Sequence, residues 1–438
     1  MDDLKSDAVN VATILDRAAI EPGAPENLRV LTALDWERLI EGLRNETAVG
    51  FVGLFIDRGR VYLLLRCGEA IVPVVSALNE GTYCAVSSAR PEAAWYERLA
   101  HDLSGAVAEQ ANDERPAIAL GSVGEDPAWP GFRDAPGNGE YQIGLGPVGG
   151  LIAAPYHRHL TLDGDVVVAT EHRFGYTHRG VLRLIAGQSP RAAARTCARI
   201  DSEACVAHAV AYARAVEAAS ACSLPLHIEE MRGKMLALEQ CTVSLLRLVR
   251  AAAAVGADRL ATRLVTLRGT IADTLEVIFG HRLMMDVVVP GGMAVRPDLS
   301  AWPVLSDVLN DVDTVTRPLG GWSMRKRFGS NASFAGDWAR RARKAAKEAC
   351  NAPWHRDAEP TAVPLPDHDG FGMGAVVSAH GLIHYALSLE LGVIAFVFIV
   401  TPGSAVAEAL ERASKFMRID DFLLRSVLLM PPASGIDL

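Results

Sequence analysis

The segment CARIDSEACVAHAVAY, residues 197–212, places two cysteines and a histidine in a run that otherwise has the composition of an alanine-rich helix. Thiolate and imidazole groups are the usual ligands of zinc and related transition metals. The segment is therefore compatible with a metal site, with the remnant of one, or with ordinary packing. Cys197 and Cys205 lack the C-x-x-C spacing of a metal site, and we predict that both are buried thiols.

Asp201 and His208 in this segment are candidate catalytic residues. They are seven positions apart, so on one helix they would share a face but stand about 10 Å apart along its axis, too far for two ligands of one metal ion. We predict that Asp201 is a helix N-cap, with Ser202 and Glu203 opening the helix. His208 is predicted to lie in the core or an interface, with a proton-relay role as the functional alternative.

Two histidine–arginine pairs are further candidates. His178 and Arg179, in YTHRG, follow a predicted strand, where they could be a surface turn or contain a satisfied buried histidine, or they could have a functional or subunit-interface role. His281 and Arg282, in GHR, end a long predicted helix, where cations complement the helix dipole. We predict a structural role for the second pair and leave both interpretations open for the first.

Composition shifts divide the chain into segments. Residues 1–26 are predicted to be a helical lead-in ending in the turn-rich EPGAPEN. Residues 27–120 mix helical and strand patterns and are predicted to form a compact α/β domain. Residues 121–143 are rich in Gly, Pro and Asp, which is typical of a linker. Residues 144–438 are predicted to be a mainly α-helical domain with peripheral β-strands, so the predicted fold class is α+β.

Local patterns predict the elements of the first domain. WERLIEGLRNE has helical spacing, and AVGFVGLFIDRGRVYLLLRC is typical of a hairpin with its turn at Asp-Arg-Gly. PEAAWYERLAHDLSG predicts a helix opened by Pro91 and closed by Gly105. Trp95 and Tyr96 of that helix are predicted to anchor the domain core.

The second domain opens with HRHLTLDGDVVVATEHRF, in which Asp-Gly is a favoured two-residue hairpin turn. VVVPGGM predicts a short extended segment, and GLIHYALSLELGVIAFVFIVTP predicts two strands followed by the helix GSAVAEALERASKFM. Helical spacing is found at 203–222, 229–255, 257–280 and around 335–350.

The net charge of −9 argues against broad nucleic-acid binding. One local exception, the basic segment 324–347, is either a solvated helix face or a docking surface for an acidic partner or anionic lipid. The seven cysteines are an odd number without a C-x-x-C pair, and we predict buried thiols in a reducing compartment. The acidic N-terminus is not typical of a signal peptide, and no apolar run reaches transmembrane length, so we expect a cytosolic protein.

Two stretches in succession resemble a known pair of proteins. The first is similar to the Trp-Tyr-Glu-Arg-x-x-x-Asp-Leu-x-Gly segment of the 30-kDa-type subunit of respiratory complex I. The second, GPVGGLIAAPYHRHLTLDGDVVVATEHRFGYTHRG, resembles the start of the 49-kDa-type subunit and of formate-hydrogenlyase-type (group 4) nickel–iron hydrogenase large subunits. Further matches are GHRLMMDVVVPGGM, Arg232 and Glu239 in the helix after Pro225, Gly336-Asp337 ahead of a basic helix, and HGLIH. The residues that carry the first match are Trp95, Tyr96, Glu97, Arg98, Asp102, Leu103 and Gly105.

The resemblance implies a fused chain, with a 30-kDa-like domain at 27–120 and a 49-kDa-like or hydrogenase-like domain at 144–438. In the nickel–iron members, Arg-Ile-Cys-Gly-x-Cys-x-x-x-His and a C-terminal Asp-Pro-Cys-x-x-Cys supply four thiolates. Soft thiolates of this kind suit nickel and low-spin iron. The matching positions here are Asp201, Ala204, Ala433 and Ile436.

The residues that contact quinone in the complex I branch also differ here. The histidine of Gly-Pro-x-His and the tyrosine beyond His-Arg-Gly correspond to Gly149 and Pro190, and an Asn-His pair corresponds to Val243-Ser244. The resemblance therefore implies a chain with neither the nickel–iron thiolates nor the quinone headgroup donors.

These comparisons of motifs predict a subunit of a complex I-like or hydrogenase-4-like oxidoreductase, mainly structural or coupling in role. We expect no cofactor on this chain, an iron–sulfur cluster in a small partner subunit, membrane partner subunits, and a position on the cytoplasmic face of the inner membrane. The alternative is a hydrogenase maturation scaffold that imitates the large subunit. A third possibility is an enzyme with a different electron acceptor in a remodelled cavity.

Overall fold

The computed structural model describes residues 10–21, 28–117, 132, 134–135, 137, 139–148, 155–176, 178–320, 326–351, 362–429 and 433–436. The chain forms two compact units, residues 1–131 and 132–438. The division between them lies within 121–143, the segment whose composition predicts a linker. The family assigned to each unit remains a prediction.

The first unit contains a five-stranded sheet with strand order β1-β2-β5-β4-β3. The predicted hairpin is confirmed: its strands are joined at Arg58 and Gly59, both with positive φ, as a two-residue turn requires. In the predicted helical lead-in, Val11–Arg17 form a helix. The prediction is wrong at Ala19–Ile20, which pair as a strand. The strands are β1 Ala19–Ile20, β2 Arg29–Leu31, β3 Val49–Asp57, β4 Arg60–Cys67 and β5 Ala70–Ala77.

Three helices, α1 Val11–Arg17, α2 Ala33–Asn45 and α3 Ala94–Ser104, belong to this unit. Helix α3 follows a short 3-10 turn that begins at Pro91, and it ends at Gly105 in the left-handed conformation, as predicted. Tyr96 is buried and its ring lies 5.5 Å from that of Phe51. Tyr96 therefore anchors the domain core. Two short strands, β6 Thr82–Cys84 and β7 Val107–Glu109, pair in parallel.

The second unit begins with a sheet in which β8 Glu140–Leu145, β9 His157–Asp163 and β10 Val166–Arg173 run antiparallel. The predicted turn joins β9 to β10, with Gly164 at φ +58°. The short strand β16 Met417–Arg418 completes the sheet next to β10. The predicted extended segment is also confirmed as the strand pair β11 Val288–Val289 and β12 Gly292–Met293.

The helices of the second unit surround one large apolar core. All four predicted helical regions, including the three between 203 and 280, are confirmed within a few residues. An additional helix, Trp302–Thr316, was not predicted; Asp, Asn and Thr lower its intrinsic propensity, and burial of Leu305, Leu309 and Val312 stabilises it. The helices are α4 Val181–Ile185, α5 Pro190–Cys197, α6 Cys205–Ala219, α7 Leu226–Ala254, α8 Asp258–Phe279, α9 Trp302–Thr316, α10 Ala332–Asn351, α11 Gly403–Ser414 and α12 Ile419–Leu429.

Helix α6 lies at the centre of this unit and is almost entirely buried. It packs across a sheet formed by β13 Phe371–Val377, β14 Leu382–Glu390 and β15 Val393–Val400. Strands β14 and β15 were predicted, whereas β13 was not, since its alternating glycines weaken the strand pattern. Those glycines let the helix backbone approach closely, because a Cβ on Gly372 or Gly374 would overlap a carbonyl oxygen of α6.

Among the described residues, no helix has both the length and the apolar composition that crossing a bilayer requires. This finding covers the described helices of both units.

The close approach of α6 to β13 predicts the effect of a single methyl group. Gly374→Ala should lower the free energy of unfolding by about 2–3 kcal/mol, because the added Cβ meets backbone that cannot move aside. Gly269→Ala is the matched control: nothing lies within 4 Å of its added Cβ, and it should stabilise α8 by about 0.5–1 kcal/mol. Urea denaturation measures both. Equal effects of the two substitutions would contradict the packing described.

Candidate functional site

The amino terminus of α6 is the centre of the candidate site. The prediction that Asp201 caps this helix is wrong: α6 begins at Cys205, and Ala204 at the N-cap position provides no side-chain acceptor. Asp201 instead accepts a hydrogen bond from the Glu203 amide at 2.9 Å, within a tight turn that precedes the helix. Its side chain is buried, and it marks the bend that leads the chain into α6.

The cap of α6 comes from another helix. The carboxylate of Glu239, in α7, accepts hydrogen bonds from the amides of Val206 at 2.6 Å and Ala207 at 3.0 Å. These amides have no partner within their own helix, and in a buried position they require one. When this carboxyl group is ionised, its charge also complements the helix dipole. Local sequence patterns do not predict this contact, since it joins positions more than 30 residues apart.

Burial raises the pKa of Glu239 to about 8, although the two amides oppose the shift; the nearby Asp201 adds to it. A cavity of about 20 Å³ between α7 and α8 is lined in part by Glu203, Glu239, Thr242 and Arg268. This volume is room for about one water molecule. Glu239 is therefore a buried acid that can exchange a proton near neutral pH.

A second buried carboxylate, Glu203, contacts two arginines and a histidine. It contacts Arg247 at 2.8 Å, Arg250 at 2.8 Å and the Nε2 atom of His380 at 3.1 Å. Burial disfavours its charge, but the hydrogen bond to His380 and the charges of the arginines outweigh burial and hold the pKa of Glu203 well below its ordinary value. Glu203 was predicted only as a helix-opening residue. A detectable signal was the presence of Arg247 and Arg250 in the otherwise apolar SLLRLVRAAAA.

His208 lies one turn inside α6 and is buried, as predicted. Its Nδ1 atom lies 2.8 Å from the hydroxyl of Tyr385 in β14. Burial, with a contribution from the charge of Arg179, lowers the pKa of His208 to about 3, so the imidazole is neutral at neutral pH. Its role as a core residue is confirmed, and a role in proton transfer remains a prediction.

The two cysteines of the 197–212 segment are buried thiols, as predicted. Burial raises the pKa of both Cys197 and Cys205. Cys205 donates to the carbonyl oxygen of Asp201 at 3.3 Å. The wider prediction that all seven cysteines are buried is correct for Cys241 but not for four others, which are partly exposed: Cys67, Cys84, Cys222 and Cys350.

Arg179 connects two distant segments of the chain. Its guanidinium donates to the carbonyl oxygen of Ile200 at 2.9 Å and to that of Ser434 at 2.5 Å. The structure thus brings Arg179 and Asp201 to one region and joins them to the C-terminal turn Ala433–Gly435. The neighbouring His178 is half-buried beside Arg179.

Other candidates from the sequence lie elsewhere. Helix α8 ends at Gly280, and the exposed Arg282 pairs with Asp273 at 2.6 Å, in line with the predicted structural role. Pro190 starts α5, and Val243 and Ser244 are buried in α7. Gly149 lies outside the described residues. In the described parts of the chain, no group of three or more His, Cys, Asp or Glu side chains is arranged to hold a metal ion.

No family model matches the sequence. Formate hydrogenlyase subunit 5 of Escherichia coli K12 is 25% identical over 247 residues, which is 50% of this chain and 42% of that protein. Hydrogenase-4 component G of the same organism is 25% identical over 53% of this chain and 45% of its own length. An NADH-quinone oxidoreductase subunit of Desulfitobacterium hafniense is 23% identical over 40% of this chain and 48% of its own length. The matches thus span less than half the length of these curated relatives.

Solved structures show the same fold. A chain of the membrane-bound sulfane sulfur reductase, an archaeal respiratory membrane complex, superimposes with a TM-score of 0.56 and 16% identity, covering 68% of this chain and 98% of that chain. A chain of the Ni-Fe-Se hydrogenase from D. vulgaris Hildenborough gives a TM-score of 0.54 and 11% identity, with the same coverage. The chain is therefore related to subunits of hydrogenase-4, formate hydrogenlyase and NADH-quinone oxidoreductase, and it has a hydrogenase-like fold of mixed helices and strands.

The raised pKa of Glu239 predicts a pH-dependent stability. The unfolded chain releases the Glu239 proton near pH 4.5, whereas the folded protein keeps it up to about pH 8. The stabilisation that this proton provides is therefore full below about pH 4.5 and is lost as the pH rises to 8. Over this pH range the free energy of unfolding of the wild-type protein should decline by on the order of a few kcal/mol, and Glu239→Gln should remove this decline. Urea denaturation at several pH values measures it. Glu276→Gln, at an exposed helical site, is the control, and an unchanged slope in Glu239→Gln would contradict the assignment.

The arginines around Glu203 predict a second effect on stability. Glu203→Gln should destabilise the protein by about 3–5 kcal/mol, because it leaves Arg247 buried without its counter-charge. Asp273→Asn removes one partner of the exposed pair with Arg282 and should cost less than about 1 kcal/mol. Thermal or urea denaturation at neutral pH compares the two. A small effect of Glu203→Gln would show that Arg247 is not dependent on this carboxylate.

Proposed function

We propose that this chain is a subunit of a membrane-associated oxidoreductase complex of the hydrogenase-4, formate hydrogenlyase or complex I type. In this proposal it has a structural or coupling role and no nickel–iron centre of its own. The observation that carries the proposal is the meeting of two segments at Arg179, one preceding α6 and the other at the C-terminal turn. These are the segments that carry the thiolates in the nickel–iron family that the sequence resembles.

The residues at these positions do not fit a nickel–iron group. Four soft thiolates suit nickel and low-spin iron, whereas this chain has a carboxylate, two alanines and an isoleucine at the matching positions. The nearby Cys205 does not supply a thiolate at a matching position, because it lies one residue beyond Ala204 and its thiol donates to the carbonyl oxygen of Asp201. The matching residues are Asp201, Ala204, Ala433 and Ile436.

In the proposed complex, electrons pass through an iron–sulfur cluster of a small partner subunit, and this chain binds no cofactor. Its first unit is the 30-kDa-like domain and its second the 49-kDa-like domain, fused in one chain. The chain is held on the cytoplasmic face of the inner membrane by partner subunits. The relationship to subunits of hydrogenase-4 and formate hydrogenlyase supports this assembly.

Purification of the tagged full chain from native membranes in mild detergent tests the proposal. We expect an iron–sulfur subunit and membrane subunits to co-purify, with iron in the complex and no nickel, as measured by mass spectrometry and elemental analysis. Dissociation of the complex should remove the iron from this chain. Stoichiometric nickel would contradict the missing centre. Transient association with a metal carrier, without membrane subunits, would favour the maturation scaffold instead.

A further inference from the structure

A group of polar side chains in the second unit links Arg247, the partner of Glu203, to the sheet that contains β9 and β10. Tyr156 directly precedes β9, and Arg158 lies two residues further on, so both point to the same face of the sheet. His172 of β10 is the cross-strand partner of Arg158 and shares that face. The ring of Tyr156 lies 5.9 Å from that of His172 and 5.5 Å from the guanidinium of Arg158.

Arg247 of α7 faces the same region. Burial raises the pKa of Tyr156, and the charges of Arg158 and Arg247 oppose this rise, so both arginines lie within electrostatic reach of the phenol. Tyr156 has an exposed fraction of 0% and Arg247 of 1%. The four side chains therefore form an electropositive group in which Tyr156 and Arg247 are fully buried and Arg158 and His172 are half-buried.

Each member of this group has buried polar atoms without a hydrogen-bond partner among the described residues. These are the hydroxyl of Tyr156, the Nε atoms of both arginines, a terminal nitrogen of Arg247, and both ring nitrogens of His172. Buried polar groups are nearly always hydrogen-bonded, because each unpaired one costs about 1–3 kcal/mol. Since most of these atoms are donors, the missing partner is an acceptor.

The charge balance indicates the same partner. Across the described part of the chain, the one carboxylate that contacts Arg247 is Glu203, which it shares with Arg250, and Arg158 forms no ion pair. The guanidinium groups of Arg158 and Arg247 thus have one carboxylate between them, and Arg250 also contacts that carboxylate. The fully buried guanidinium of Arg247 in particular needs a counter-charge.

An open groove of about 610 Å³ reaches Arg158 from the solvent and is also lined by Lys326 and Arg327. These cations belong to the basic segment 324–347, whose role the sequence leaves open. They provide a route that attracts anions, although Asp420 and Asp421, which also line the groove, reduce its net charge.

We propose that Tyr156, Arg158, His172 and Arg247 bind a small oxyanion, with the guanidinium groups and the phenol as donors. Arginine forks match the oxygens of carboxylates and of tetrahedral oxyanions alike. His172 is neutral at neutral pH, because burial lowers its pKa to about 3, and it contributes one further donor. The site shares Arg247 with the Glu203 network, but it does not depend on the proposed structural or coupling role of the chain.

Isothermal titration of the full chain with inorganic phosphate, and separately with acetate, tests the proposal and distinguishes tetrahedral oxyanions from carboxylates. We expect saturable binding of at least one anion. Tyr156→Phe removes a single hydroxyl and should weaken that binding by about tenfold or more, the usual loss for a hydrogen bond to a charged group. Tyr141→Phe, an exposed tyrosine on the same sheet, should bind like the wild-type protein.

Stability in anion-free buffer provides an independent readout. Because the Tyr156 hydroxyl has no partner among the described residues, Tyr156→Phe should unfold at the same temperature as the wild-type protein without the anion, and only the wild-type protein should be stabilised when it is added. Absence of saturable binding for both anions would overturn the proposal. Equal affinity in Tyr156→Phe, or a loss of stability in anion-free buffer, would overturn it as well.

Discussion

The bond between Glu239 and the first amides of α6 is the contact on which the second unit depends. A buried helix cannot leave its first amides without acceptors, and neither Asp201 nor Ala204 provides one. The carboxylate from α7 therefore fixes where α6 begins and holds it to the neighbouring helix. With that start fixed, His208 meets Tyr385, and the helix backbone meets the glycines of β13.

Charge organises the surroundings of this contact. Glu203 joins the turn before α6 to α7 through two arginines, and to the segment before β14 through His380. Buried ion pairs contribute little net stability, since desolvation offsets their attraction, but breaking one is costly. The network thus specifies the arrangement of three elements more than it stabilises them. Together with Arg179 it holds the turn before α6 next to the C-terminal turn Ala433–Gly435.

Elements set by local pattern were predictable from the sequence. The hairpin turn at Gly59, the Pro91-to-Gly105 helix and the helices between 203 and 280 follow from turn chemistry and periodicity. The role of Asp201 was not predictable from the sequence, because the carboxylate of Glu239, 38 positions further along the chain, caps α6 instead. Strand β13 was missed because its glycines serve a close approach that only the folded helix reveals. Likewise, Glu203 and its arginines meet only through tertiary structure.

Contacts made by side chains of this protein organise the α6 amino terminus. Amide hydrogen exchange at Val206 and Ala207, followed with and without a chelator, tests this most directly. We predict that both amides exchange as slowly as the core of α7, and that chelation changes nothing. Rapid exchange of these amides, or protection that disappears when metal is removed, would contradict it.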